Sequence, residues 1–293
     1  MKFIYILSTA LIFSFGLGDV HKPTEGGYNS DLVSFGKKTY AGTSFYVVKF
    51  KRKGERIKVK YFAKKLNGKS IQERYDAWSK NQKVIMYSSG AYMSESFDAS
   101  TAGIVGLTLD NGIIINRNVV FNRLSALVVT YPNGTIEIKN INEGRLTFDG
   151  GGSPITYDFS KFNDVSRFID WASESKLTVF QTHLLAHNKK MMVHSNGSYS
   201  QASRRFLVSG QDSRGSEFYF IVHRPDAITL YDGAKSVFDY LNNNRYTVNS
   251  MINLDTGAQD VFQFFSVSGN VSGVLQGGTH ISNARNLMAF YYE

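Results

Sequence analysis

Apolar and polar residues alternate with a period of two through much of this chain, the pattern of strands with one covered face. The alternation starts near Thr43 and runs past Tyr61, with Ile57, Val59 and Tyr61 set against Arg56, Lys58 and Lys60 and a hairpin turn at Gly54. Shorter apolar runs predict strands at 84–87, 104–109, 113–115, 124–131 and 135–138. Asp110-Asn111-Gly112 and Pro132-Asn133-Gly134 separate two pairs of these, which is hairpin chemistry. Further strands are expected at 177–187, 191–194, 206–209, 218–223, 251–254, 261–267 and 286–292. Three segments break the period. Residues 70–80 predict a short helix with Trp78 turned inward, and 164–175 space Val165, Phe168, Ile169 and Ala172 for a helix capped by Asp164. A third helix has Asp232 as its cap, Ala234, Val237, Phe238 and Leu241 on one face, and Asn242-Asn243-Asn244 at its end. Many strands and few helices predict an α+β fold of mixed, mainly antiparallel β-sheets with a few flanking helices. Gly150-Gly151-Gly152 is the internal linker candidate.

Composition adds a boundary and a compartment. The 293 residues are 42% hydrophobic and 14% aromatic, enough to bury a large core. Residues 1–18 read as a secretory signal: Lys2 opens an apolar run from Phe3 to Phe15, and Gly16-Leu17-Gly18 precede Asp19. The expected mature chain, 19–293, is a single domain whose first part, 19–83, is a basic, β-rich lead-in. No later stretch is long enough to span a bilayer, and the chain has no cysteine, which suits a secreted or periplasmic bacterial protein.

Charge is local. Residues 49–69 hold ten Lys and Arg and one acid, Glu55, which accounts for the whole net charge of +9. Aromatic residues there share the apolar face rather than interleaving with the basic one, so a nucleic-acid surface is disfavoured. A solvated edge hairpin guarded by lysines and a contact with an anionic envelope surface both remain open.

Candidate chemistry concentrates around Asp255. The apolar run Met251-Ile252-Asn253-Leu254 delivers this carboxylate into the small-residue turn Thr256-Gly257-Ala258, and Val261 starts the next run. Such a placement holds an acid rigidly while letting backbone approach a ligand, although Asp and Gly also serve plain turns. Arg204-Arg205 leads into Phe206-Leu207-Val208, where an arginine at a strand mouth suits bidentate grip on phosphate or carboxylate. His183 and His187 have i, i+4 spacing, but on a strand that spans about 13 Å, too far for one metal. No Gly-x-Ser-x-Gly elbow and no cysteine nucleophile is present.

These segments, in order, resemble the phosphodiester glycosidase family. Its Leu-Asp-Gly-Gly-Gly-Ser turn is matched by Leu254-Asp255-Thr256-Gly257-Ala258-Gln259, and its threonine–leucine helix entry by Thr229-Leu230. Its arginine-containing strand is similar to Arg205-Phe206-Leu207-Val208-Ser209. Its Ser/Thr-Gly-Pro strand is similar to Thr182-His183-Leu184 after Gln181, and its Asn-Gly-Gly-Phe-Phe turn to Ser89-Gly90-Ala91-Tyr92-Met93. The resemblance covers about residues 84–293 and implies a secreted hydrolase cleaving a sugar-1-phosphodiester; no cofactor and no metal-ligating residues are expected. It implies Asp255 as the catalytic carboxylate and Arg205 as the phosphate holder, with Ser89, Gly90, Gln181, Thr182, His183 and Gly257 lining the cleft. Ser89, His183, Leu184, Thr256 and Ala258 depart from the family's residues. Those departures favour a second reading, a secreted glycan or phospho-sugar binding protein on the same fold.

Overall fold

The computed structural model describes residues 28–29, 33–51, 57–63, 68–92, 103–197, 199–256, 260–265 and 280–292. Residues 1–18, expected to be a signal, Gly257 and much of the basic stretch (52–56 and 64–67) lie outside the described residues.

Four sheets carry the chain. The large sheet has the order β1 (Tyr28–Asn29), β2 (Val33–Tyr40), β3 (Thr43–Lys51), β16 (Glu217–Ile228), β15 (Ala202–Gln211), β17 (Thr247–Leu254), β13 (Leu184–His187) and β14 (Lys190–Met191). A four-stranded sheet follows the order β18 (Phe262–Phe264), β5 (Lys83–Ser88), β19 (Leu287–Tyr292) and β4 (Ile57–Phe62). A five-stranded sheet orders β7 (Ile113–Asn116), β6 (Thr108–Asp110), β12 (Thr178–Thr182), β8 (Ala126–Thr130) and β9 (Ile136–Asn140). A separate hairpin pairs β10 (Arg145–Asp149) with β11 (Pro154–Asp158). Every pairing among the described residues is antiparallel, so the expected mixed character is corrected to antiparallel sheet with few helices.

The main core lies between the large sheet and the two smaller ones. Leu207, Ile221, Ile252 and Leu254 from one side meet Tyr61, Met86, Val128, Phe180, Phe264 and Phe290 from the other. The large sheet's opposite face is covered by α3 (Leu230–Asn243) through Leu230, Ala234, Val237 and Leu241. Each such leucine or valine contributes about 1.5–3 kcal/mol by leaving water. Gly233 brings α3 in close, because a Cβ there would stand 3.2 Å from Phe206 Cζ. The helix α2 (Phe162–Glu174) and the hairpin cover the five-stranded sheet, and α1 (Ile71–Ser79) covers the four-stranded one.

Local chemistry explains where the expectations shift. Ser70 and Glu73 form a reciprocal capping box on α1, and Trp78 packs half-buried against Phe62 and Tyr291. α3 starts at Leu230 with Thr229 as its cap; Asp232 stands one turn in and accepts the Thr229 hydroxyl. α2 begins two residues before Asp164, whose carboxylate instead accepts the Asp158 backbone N–H. Gly150–Gly152 is the turn of the β10–β11 hairpin rather than a linker, and the alternating burial of both strands packs Leu146, Phe148 and Tyr157 inward. The solvated face expected for β4 is also corrected: Lys58 is buried and Lys60 mostly so. The β8–β9 turn closes over Lys58, so that a Cβ on Gly134 would come within 2.6 Å of it, while Asp110 lies beside Lys60.

Candidate functional site

The single strand expected over 177–187 divides between two sheets. β12 belongs to the five-stranded sheet and β13 to the large one, and His183 is the residue at the crossing. The ends of β5 and β17 and the start of β15 converge beside it. The His183 carbonyl accepts the Asn253 N–H at 3.1 Å, and the Gly90 carbonyl accepts the Asp255 N–H at 3.1 Å. Three sheets therefore meet at one seam, joined by backbone hydrogen bonds. Sequence positions 89–92, 182–183, 203–205 and 253–256 come together there.

Strand register sorts the seam into two sides. Arg205 lies opposite Leu254 and His223, and all three share a face with Leu207 and Ile252, turned toward the smaller sheets. Arg205 is fully buried. Its Nη2 donates to Asp260 Oδ1 at 2.6 Å and stands 3.3 Å from His223 Nδ1, its Nη1 donates to the Val261 carbonyl at 3.1 Å, and its guanidinium lies 4.4 Å from the Phe262 ring centroid. Burial pushes Arg205 down from its ordinary range, and Asp260 opposes that shift. Burial and the Arg205 charge push His223 down to about 2, which leaves a neutral ring whose Nδ1 accepts from arginine. In this conformation Arg205 is a strut between two sheets. Both terminal nitrogens, expected to hold a phosphate, are held here by protein groups, Nε is buried without a partner, and none of the side chain is exposed.

Other expected contacts are also taken up by the scaffold. Gln181 is fully buried: Oε1 accepts from Leu107 and Val120 N–H, and Nε2 donates to the Val120 and Leu124 carbonyls. Thr182 Oγ1 donates to the Asn253 carbonyl at 2.6 Å. Ser89 Oγ accepts the Val261 N–H at 2.9 Å and its own N–H donates to the Val261 carbonyl, so it staples β5 to β18. Gln181, Thr182 and Ser89, expected at the cleft, all bond to backbone groups at the seam in this conformation. Gly90 does need to be small: a Cβ there would meet Tyr61 Cε2 at 2.9 Å and Asn286 Oδ1 at 3.3 Å, while Asn286 Oδ1 accepts the Gly90 and Ala91 N–H groups.

Asp255 is buried at the end of β17, tethered through its backbone to Gly90. Its charge favours the cationic form of Arg205 and, after burial and Asp110, helps push the Tyr61 hydroxyl well above its ordinary range. The Thr256 hydroxyl donates to the Ser203 carbonyl at 2.6 Å, which pins the residue after Asp255 to the strand carrying Arg204 and Arg205.

The opposite side of the seam has a different character. Asn253 lies opposite Phe206, so Asn253 and Arg204 share the face covered by α3. His183, bonded to Asn253 across the strands, stands edge-on to Tyr92 with ring centroids 5.3 Å apart. Arg123 donates to the Tyr92 hydroxyl at 3.1 Å and lies over its ring. Burial first, then Arg123 and Arg204, push His183 down to about 4. His183 Nδ1 and Asn253 Oδ1 are both buried without a hydrogen-bond partner. Tyr92, Arg123, Arg204 and Asn253 were not among the expected site residues. The period of two showed that Arg204 and Arg205 face opposite ways but not which faced a ligand.

His187 departs from His183 altogether. Its ring joins Ser250 Oγ at 3.1 Å to Glu143 Oε1 at 2.8 Å, which ties the large sheet to the turn after β9. Ser250 sits mid-strand with both neighbouring strands paired, so this chain of bonds is a brace rather than a nucleophile. Among the described residues no cluster of three or more His, Asp or Glu is arranged to hold a metal ion.

No protein-family model matches this sequence, and no curated protein does. Among solved structures, the chain is similar to the zebrafish N-acetylglucosamine-1-phosphodiester alpha-N-acetylglucosaminidase catalytic domain auto-inhibited by its pro-peptide. The identity is 13% and the TM-score 0.47, over 93% of this chain and 87% of that one. It is also similar to a hypothetical protein from Synechocystis, at 11% identity and TM-score 0.47, spanning 93% of this chain and 64% of the other. The likeness is one of distant fold.

Proposed function

We propose that this chain is an exported hydrolase that cleaves the bond between a sugar anomeric carbon and a phosphodiester oxygen, with Asp255 as its carboxylate. The observation that carries the reading is the placement of Asp255. A carboxylate at a strand end is anchored to Gly90 by backbone and held in the field of a buried arginine, at the seam where His183 feels Arg204 and Arg123. The sequence resemblance around residues 254–257 supports the same reading.

The chemistry suits those groups. The transition state of such a cleavage is oxocarbenium-like, and a phosphate leaving group needs little protonation, so one carboxylate plus anion stabilisation serves where ordinary glycosidases use two carboxylates. Asp255 stabilises the developing sugar cation or orients water. Arg204 and Arg123, rather than Arg205, hold the phosphate. Arg205 and Asp260 keep the strand ends in place. Export rests on residues 1–18 and is checked by N-terminal sequencing of the protein recovered outside the cytoplasm.

The test is release of free sugar from a panel of sugar-1-phosphodiesters by the wild type and by Asp255→Asn. The wild type is expected to release sugar and the variant to lose at least about a hundredfold in kcat with an unchanged fold. Equal rates would remove Asp255 from the chemistry. A second reading, a phospho-sugar binding protein on this scaffold, is favoured by the commitment of Arg205, Gln181, Thr182 and Ser89 to structural bonds. Ligand-induced stabilisation with no product from any substrate would establish it.

A further inference from the structure

Buried polar atoms are nearly always hydrogen-bonded, because leaving one unmade costs more than the bond itself contributes. Besides Arg205 Nε on its inner side, the seam holds two exceptions on the other side, on residues joined across the sheet. His183 Nδ1 and Asn253 Oδ1 are buried and have no partner, yet the two residues are locked together by the 3.1 Å bond from Asn253 N–H to the His183 carbonyl. Two guanidinium groups flank them. Arg204 shares their face of the large sheet, with Nε given to the Ile228 carbonyl and Nη2 to the Ser200 carbonyl. Arg123 reaches in over Tyr92, the ring that meets His183 edge-on.

Each group selects its partner by chemistry. Asn253 Oδ1 only accepts, so it calls for a donor. The neutral imidazole presents at Nδ1 either a lone pair or an N–H, and a hydroxyl satisfies both cases. The guanidinium groups call for an anion. We infer that His183, Asn253 and Arg204 form a recognition row for a hydroxylated organic anion, with its hydroxyls on His183 and Asn253 and its negative group between Arg204 and Arg123. Asn253 is then a specificity-determining residue: it rejects ligands with no hydroxyl at that point, because the buried acceptor would stay unpaired. The inference rests on the seam as the ligand site and not on turnover there.

A prediction about the free protein follows, and it separates this role from a structural one. A side chain kept for a ligand is unsatisfied while the ligand is absent. Asn253→Ala and His183→Phe should therefore melt no lower than the wild type without ligand, since each removes an unpaired buried polar atom. A scaffold residue would show the reverse.

The experiment is isothermal titration calorimetry on the full chain with α-glucose 1-phosphate, glycerol 3-phosphate, inorganic phosphate and methyl α-glucoside, beside thermal melting of each ligand-free variant. The wild type should bind the two hydroxylated anions more tightly than phosphate and bind the glucoside weakest. Asn253→Ala should weaken the better of the two about tenfold and leave phosphate unchanged, which is the effect of one lost hydrogen bond. Arg204→Ala should weaken hydroxylated anions and phosphate alike. The inference is overturned if Asn253→Ala binds the hydroxylated anions as the wild type does, if none of the four binds, or if the variant melts lower and loses all binding together. Sugar release that Asn253→Ala leaves intact would sink this inference alone, whereas binding without sugar release would sink the hydrolase and leave the row standing.

Discussion

Arg204 and Arg205 are consecutive in the chain and face opposite sides of the large sheet, and their surroundings differ in kind. On the inner side, Arg205 finds a carboxylate, a carbonyl, a neutral histidine and an aromatic ring supplied by the protein. On the α3 side, Arg204 donates to the Ile228 and Ser200 carbonyls and its charge reaches His183, whose Nδ1 has no protein partner, as Asn253 Oδ1 has none on the same face. A buried cation whose partners are built in belongs to the scaffold. Arg205 keeps one unpartnered atom, Nε, within that built-in shell, whereas on the other side the unpartnered atoms sit on two neutral side chains joined to each other only by backbone. On the proposed reading the two sides divide the labour at the seam: the inner one holds three sheets in register and the outer one meets the ligand.

Breaking the inner side should produce the largest effect. Asp260→Ala leaves the Arg205 charge buried and uncompensated and should cost about 3–5 kcal/mol in urea unfolding. Replacing both partners, Arg205→Met with Asp260→Leu, should cost less than the single change, because no charge is then stranded. A loss below about 1 kcal/mol for Asp260→Ala would show that the pair is not the strut described here.

Acid should act next. The folded protein holds His183 neutral down to about pH 4, whereas the unfolded chain takes up that proton near the ordinary 6.5. The unfolded state thus binds more protons between those values. Above 6.5 the histidine adds no pH dependence, and the folded state loses roughly 2–3 kcal/mol as pH falls from 6.5 toward 4. Urea midpoints measured at pH 7, 5.5 and 4.5 should fall in the wild type and fall less steeply in His183→Phe. Parallel slopes would place the titration elsewhere.

The smallest effect belongs to the glycine that joins the two sides. Gly90→Ala pushes a methyl against Tyr61 and Asn286 and should cost about 1–2 kcal/mol. Because Gly90 also holds the Asp255 backbone, the same change should lower sugar release more than it lowers stability. Normal activity in a destabilised protein would separate Asp255 from that tether.

The pattern of apolar residues foretold most strands, because a period of two reports which residues are covered. It could not report by what. The run 177–187 reads as one strand because its apolar character is continuous, yet its two halves pair with different sheets and His183 marks the change. Lys58 and Lys60 look solvated in sequence because the groups that cover them, the 132–134 turn and Asp110, come from more than forty residues away. The alternation in 145–149 and 154–158 was present but hidden by the three glycines between them, which form a hairpin turn. The strand-end position of Asp255 was legible. Arg204 and Asn253 were not, because orphaned atoms appear only once partners are assigned in three dimensions.

The account stands or falls on which side of the large sheet meets a ligand. Histidine side-chain NMR at pH 7, with the His183 and His223 imidazole signals assigned and α-glucose 1-phosphate titrated in, reads both sides in one sample. Saturable movement of the His183 signals with His223 unmoved is the expected result. Movement at His223 with His183 silent would contradict it and return the ligand to Arg205.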